Sequence, residues 1–166
     1  SFLTSTDTTL FDTKTVFYNG AYIFNNVDNW YNPSKGVEFE VNLKIGNRQK
    51  RDSTMAKNAI YSLYSHCVKY WRLSARNVLA TSIEAGALKF KDKLWASELF
   101  KIGGMYSIRG FDEEAIFASE FILSTIEYRY RFEQRSNAFV FFQFGGYKSE
   151  SILRTTSSYL FSGGIG

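Results

Sequence analysis

Apolar and polar residues alternate along most of the chain. From Gly36 to Arg48, Val37, Phe39, Val41, Leu43 and Ile45 interleave with Glu38, Glu40, Asn42 and Lys44. A period of two is the mark of a β-strand with one apolar and one charged face. Upstream, Thr13 to Asn25 is rich in aromatic and β-branched residues, and Asn29 to Lys35 around the single proline, Pro33, supplies a turn. The two segments predict a hairpin. A polar loop over Asn47 to Thr54 separates it from a third strand, Ile60 to Leu73, and a fourth, Asn77 to Phe90, joined through Ser74 to Arg76. Then the alternation stops: Lys91 to Ala115 carries Gly103, Gly104 and the acidic run Asp112, Glu113, Glu114, without a sustained period. It resumes in a fifth strand, Phe117 to Phe132, with Ile122, Ile126, Tyr128, Tyr130 and Phe132 on one face and Glu127, Arg129 and Arg131 on the other. A sixth strand over Ala138 to Tyr147 and a seventh starting near Tyr159 complete an all-β reading.

Alternation alone fits a soluble sandwich and a membrane wall equally well, because both bury one face of each strand. Length separates them. A strand crosses a bilayer at a tilt in about 9 to 11 residues, and several of these segments are longer, whereas a globular strand averages about 5 to 6. Amphipathic rings also gather at strand ends, as in Trp30 and Tyr31, Tyr70 and Trp71, Tyr130 and Phe132, where a barrel places its interfacial girdles. No stretch of 18 apolar residues occurs, which excludes a transmembrane helix and leaves a transmembrane barrel open.

Composition narrows the chemistry. The net charge of +4 on 20 basic and 16 acidic residues is too mild for a nucleic-acid binder. His66 and Cys67 are the only residues of their kinds, and as strand neighbours they point to opposite faces, so they form neither a metal site nor a catalytic dyad. No nucleophile elbow, phosphate-cradling loop or acid/base pair is legible, so no enzymatic activity and no cofactor are expected. The chain opens without Met and without a basic-then-apolar leader, and any targeting segment is expected to lie outside these residues.

The aperiodic connection contains Gly103-Gly104-Met105-Tyr106-Ser107-Ile108-Arg109-Gly110-Phe111. Here the sequence resembles the BamA/TamA family of outer-membrane assembly and translocation barrels, whose signature is an aliphatic-Arg-Gly-aromatic quartet in a long extracellular loop; the quartet is Ile108, Arg109, Gly110, Phe111. The acidic run after it, Glu127-Tyr128-Arg129 on the next strand, and Phe141-Phe142-Gln143-Phe144-Gly145 on the one after follow in the family's order. The resemblance is specific from about Ser97 to Gly146 and elsewhere is one of strand pattern.

The resemblance implies that the loop, about 91–115, folds into the barrel lumen and that Arg109 meets acidic residues on the inner wall. Glu127 matches the acid of the first wall strand. Gln143 stands where the family commonly has Asp, which removes a charge from the second, and restoring Asp there is expected to strengthen the anchoring. Gly110 is expected to allow an unusual backbone and Phe111 to pack on the wall. The implied fold is an antiparallel transmembrane β-barrel, with residues 1–166 as about seven strands from the C-terminal part of a sixteen-stranded barrel. Its remaining strands and periplasmic POTRA modules are expected outside this sequence. The implied role is insertion or translocation of unfolded or partly folded client proteins at a bacterial outer membrane, in contact with outer-membrane lipid and with accessory lipoproteins. A two-partner-secretion translocator, or the barrel anchor of a patatin-like lipase, shares these features. Outside the family, a small complete barrel acting as an anchor or adhesin and a soluble ligand-binding β-domain remain open.

Overall fold

The computed structural model describes residues 13–50, 57–90, 94, 96–105, 107–133, 136–150 and 155–166. Seven long strands form one sheet: β1 (Thr13–Val27), β2 (Gly36–Lys50), β3 (Lys57–Arg72), β4 (Asn77–Phe90), β7 (Glu120–Arg131), β8 (Asn137–Glu150) and β9 (Thr155–Ile165). Each is antiparallel to its neighbours, in the order β1-β2-β3-β4-β7-β8-β9. Two three-residue strands, β5 (Phe100–Ile102) and β6 (Ile116–Ala118), pair with each other inside the β4–β7 connection.

The register sorts side chains onto two faces. Glu40 stands opposite His66, His66 opposite Glu84, Ala80 opposite Glu127 and Thr125 opposite Gln143, so the polar positions of successive strands share one face. Val41, Leu43, Ile45, Leu63, Ile83, Ile122, Ile126, Phe142 and Phe161 share the other by the same ladders. Most of these are exposed, although water would reject them. The polar face is the covered one, because the β4–β7 connection lies over it: Ile102 and Ile108 pack on Phe121 and Leu123 of β7 and Leu160 of β9. His66 falls on this inner face and Cys67 on the outer one, as alternation requires.

Rings laid across glycines hold the inner face close. Phe17 is paired with Gly46, Phe121 with Gly86 and Phe141 with Gly164. A Cβ on Gly86 would fall 2.4 Å from Phe121 Cε1, and one on Gly164 would fall 2.9 Å from Phe141 Cε1. A side chain on either glycine would lift its ring off the sheet, so the missing Cβ is what lets the ring lie flat. Phe139 and Gly166 exchange both backbone hydrogen bonds, and a Cβ on Gly166 would come 2.5 Å from Phe139 Cζ.

The turn over 28–35 is ordered by its own side chains. Asn29 Oδ1 accepts the Tyr31 N–H at 2.9 Å, and Asp28 Oδ1 accepts the N–H of Ser34 at 2.8 Å and of Lys35 at 3.0 Å. Arg72, from the end of β3, donates to Asp28 Oδ2 at 2.5 Å. Desolvation alone would raise the Asp28 carboxyl, but the Ser34 hydroxyl, the two backbone donors and Arg72 outweigh it and hold the group below the usual carboxylate range. Asn137 Nδ2, at the start of β8, donates to Asn32 Oδ1 at 3.2 Å, which brings this turn against the far end of the sheet.

Several strand boundaries depart from the sequence expectation. β2 runs on to Lys50, through residues expected in a loop, and β8 runs on to Glu150 past Tyr147; the rest of the expected loop, 51–56, lies outside the described residues. Polarity misled here, because a ladder that extends beyond an apolar layer stays paired while its side chains become hydrophilic. The alternation places the start of the fifth strand at Phe117, but 116–118 pairs with β5 and the wall strand begins at Glu120. Two strands of three residues are too short to display a period.

Val41 lies on the outer face opposite Tyr22 and Ser65, and Asn42 on the inner face opposite Ala21 and Tyr64. Arginine at the middle of a lipid-facing surface costs about 2–4 kcal/mol. Val41→Arg is therefore expected to reduce the folded fraction of the full-length barrel, read as the heat-modifiable band on a semi-native gel, well below that of Asn42→Arg. Equal folding of the two would contradict the assignment of faces.

Candidate functional site

The β4–β7 connection enters the inner face as a hairpin. Phe100, Lys101 and Ile102 pair with Ala118, Phe117 and Ile116, and Lys101 Nζ reaches Glu114 Oε2 at 2.6 Å. At the tip the backbone turns sharply: Gly103 has φ 126° and Gly110 φ 89°, both in the region that side chains disfavour. A Cβ on Gly103 would also fall 2.3 Å from Asp112 O, whereas one on Gly110 would have room. The tip closes where Gly104 N–H donates to Phe111 O at 3.1 Å. At the far end, Ser119 O accepts the Leu88 N–H at 2.7 Å while Ser119 N–H donates to Lys148 O at 2.8 Å, so the chain rejoins the wall between β4 and β8.

Within this tip, Ile108 is fully buried and belongs to the cluster of Ile102, Ala118, Phe121, Leu123 and Leu160, with Phe111 packed against it. Burying Ile108 commits its neighbour to the wall. Arg109 Nη1 lies 2.8 Å from Glu127 Oε2, and Arg129 Nε lies 2.5 Å from the other carboxylate oxygen. Glu127 is only 4% exposed, so its charge is compensated by two guanidiniums rather than by water. The Arg109 guanidinium also sits over the Phe141 ring at 4.3 Å and the Phe139 ring at 5.3 Å, the rings held flat by Gly164 and Gly166.

Gln143 is engaged by a different part of the loop. Its Oε1 accepts the Arg109 backbone N–H at 2.8 Å, and its Nε2 donates to Ser107 O and to Thr125 Oγ1, both at 3.0 Å. Gln143 is thus not a weakened aspartate: it binds the loop's main chain with a donor that Asp lacks. That geometry argues against a gain from Asp at this position.

All six residues singled out in the sequence, Ile108, Arg109, Gly110, Phe111, Glu127 and Gln143, come together, although Gly110 is exposed and a Cβ on it would meet only Ser162. Tyr106, also quoted in the loop run, lies outside the described residues. Sequence reasoning assigned no role to Arg129, Thr125, Phe139 or Phe141. Arg129 and Thr125 stand two residues either side of Glu127 and so share its face, a signal that was available. Tyr70 was beyond reach: its ring lies 5.4 Å from the Arg129 guanidinium and its hydroxyl donates to Glu38 Oε2 at 3.3 Å, contacts that depend on register across three strands. A polar chain therefore runs from the loop through β7 and β3 to β2. A cavity of about 240 Å³ opens beside it, lined by His66, Glu84, Ser107, Arg109, Glu127 and Arg129 among others. Among the described residues, no group of three or more His, Cys, Asp or Glu is placed to hold a metal.

A wall of long antiparallel strands, apolar outside and polar inside, with a loop folded against the polar face, is part of a transmembrane β-barrel. The Omp85 superfamily domain matches residues 3–166, and the chain belongs to that superfamily. At the level of the family, this is an outer-membrane barrel that inserts or translocates proteins, and family members act as transporters and assembly factors rather than enzymes. The inner face is then the lumen and the outer face meets lipid. No curated protein matches the chain.

Two substitutions separate the contributions to the site. Arg109→Ala leaves Glu127 with Arg129, so only a charged hydrogen bond and its stacking are lost, about 1.5–3 kcal/mol. Glu127→Ala leaves two guanidiniums facing each other without a carboxylate and is expected to cost about 3–5 kcal/mol. Urea unfolding of the full-length barrel should rank them in that order; the reverse ranking would mean that Arg129 does not share the carboxylate. Gln143→Asp is expected to destabilise by about 1–3 kcal/mol, because Ser107 O loses its donor. An increase in stability would show that the missing charge outweighs the amide.

Proposed function

We propose that this chain is the wall and lumenal loop of a BamA/TamA-type barrel, which inserts or translocates client proteins at a bacterial outer membrane. The observation that carries the reading is the meeting of Arg109 with Glu127 and Gln143, since the aliphatic-Arg-Gly-aromatic quartet of such barrels is expected to dock on these two wall strands. Ile108 and Phe111 seat the quartet, Gly110 carries its positive φ, and Arg109 fixes its register on the lumen wall. In a sixteen-stranded barrel with this loop after the eleventh strand, β1 to β4 are the eighth to eleventh strands and β7 to β9 the twelfth to fourteenth. The seven long strands then form the wall away from the seam between first and last strands, with POTRA modules and accessory lipoproteins contributed from outside.

The work of such a barrel is mechanical. Its lipid-facing surface meets the bilayer, its clients are unfolded or partly folded outer-membrane or secreted proteins, and no cofactor or bond-making step is required. The segment's part is to keep the wall stiff and the loop fixed while the seam opens.

The test is complementation in a cell depleted of the native full-length protein. Restoring wild type is expected to restore the folded forms of many outer-membrane barrels together, and Glu127→Ala is expected to lower them by tenfold or more at equal protein level. Restoration of one secreted protein alone, with barrel assembly unaffected, would replace this reading with that of a two-partner-secretion translocator.

A further inference from the structure

The loop touches the wall at a second place that the quartet does not explain. Its first limb carries a 3-10 turn, Ala96–Glu98, and Glu98 forms an ion pair with Arg48 of β2. The side chains are 11% exposed for Arg48 and 23% for Glu98, so this is a largely desolvated pair rather than a loose surface contact. The Arg48 guanidinium also lies 4.6 Å over the Phe90 ring at the end of β4. Around the pair, Leu94 and Leu99 of the loop are buried with Ile60 of β3 and Leu88 of β4, and Phe17 of β1 packs against them. Phe100 borders both this cluster and the one that holds Ile108, and its ring meets Phe121 edge-on at 5.4 Å.

We propose that Arg48 and Glu98 are positioning residues that form a second tether for the loop, independent of Arg109 and placed on the opposite flank of the wall. β2 and β7 are three ladder steps apart, roughly 14 Å at the usual strand spacing. A loop held only at its quartet could swing about that point. Fixed also at Glu98, it spans the wall from β2 to β8 and keeps one orientation in the lumen. The pairing is not legible in the sequence, since Arg48 stands where the alternation of β2 gives way to a polar stretch and Glu98 lies in the aperiodic connection. This tether rests on the reading of the loop as a fixed lumenal element, and it predicts that the two ends of the loop loosen separately.

Amide hydrogen exchange on the full-length barrel in lipid nanodiscs distinguishes the two tethers. Arg48→Gln and the shape-preserving Glu98→Gln are each expected to speed exchange over 97–102 by tenfold or more, with 107–111 and the β7 strand unchanged. The exchanged pair, Arg48→Glu with Glu98→Arg, is expected to recover most of the protection. Arg109→Ala is expected to loosen 107–111 and leave 97–102 protected. Unchanged exchange over 97–102 in both neutral variants, or no recovery in the exchanged pair, would overturn the tether. Loosening of both segments by any one variant would also overturn it, because the loop would then have a single anchor. If Arg109→Ala left 107–111 protected, the quartet's docking role would fail while the Arg48–Glu98 tether stood.

Discussion

A carboxylate buried inside a membrane wall must find positive charge nearby or give up its own, and the arrangement around Glu127 follows from that requirement. Arg129 supplies half of the compensation from the same strand, two residues along and on the same face. The other half comes from outside the wall, and only a loop folded into the lumen can bring it. Arg109 arrives because Ile108 beside it is buried and Gly103 and Gly110 let the backbone turn. The electrostatics of one strand therefore constrain the path of a connection far longer than a simple turn.

Glycines opposite aromatic rings complete the arrangement. Phe141 can lie under the Arg109 guanidinium because Gly164 leaves space for its ring on the sheet. The same device places Phe121 over Gly86, and Phe121 is where Ile108 packs. Residues without side chains on β4 and β9 thus determine where the loop's arginine and isoleucine come to rest. Such glycines look like weak points in a strand, yet here they shape the surface that receives the loop.

Much of this was legible in the chain. The alternation around Val41 and around Ile126 marked strands and faces, because a period of two carries both at once, and the strand lengths with the rings at their ends pointed to the membrane. The quartet at Ile108 to Phe111 and the acid at Glu127 identified the contact that matters most. What stayed hidden depended on register or on contrast. Tyr70 reaches Arg129 only once β3, β4 and β7 are aligned. The polar stretch from Asn47 to Lys50 has the composition of a loop, because nothing in it distinguishes a strand that runs on past the apolar band. Gln143 was read for the charge it lacks, when its amide, with a donor and an acceptor on one side chain, suits the main chain at Ser107 and Arg109.

The strands are longer than their apolar bands. On the outer face the band runs from Val37 to Ile45 on β2 and from Ile122 to Tyr130 on β7, with Glu120 and Lys89 paired just beyond it. That is about 30 Å of strand, which at a tilt near 45° covers roughly 21 Å along the bilayer normal. An average hydrocarbon core is about 30 Å thick, and the bacterial outer membrane is thinner than average. A wall of this height is close to the apolar band of about 25 Å usual for outer-membrane barrels, so the polar end of β2 runs on beyond the lipid.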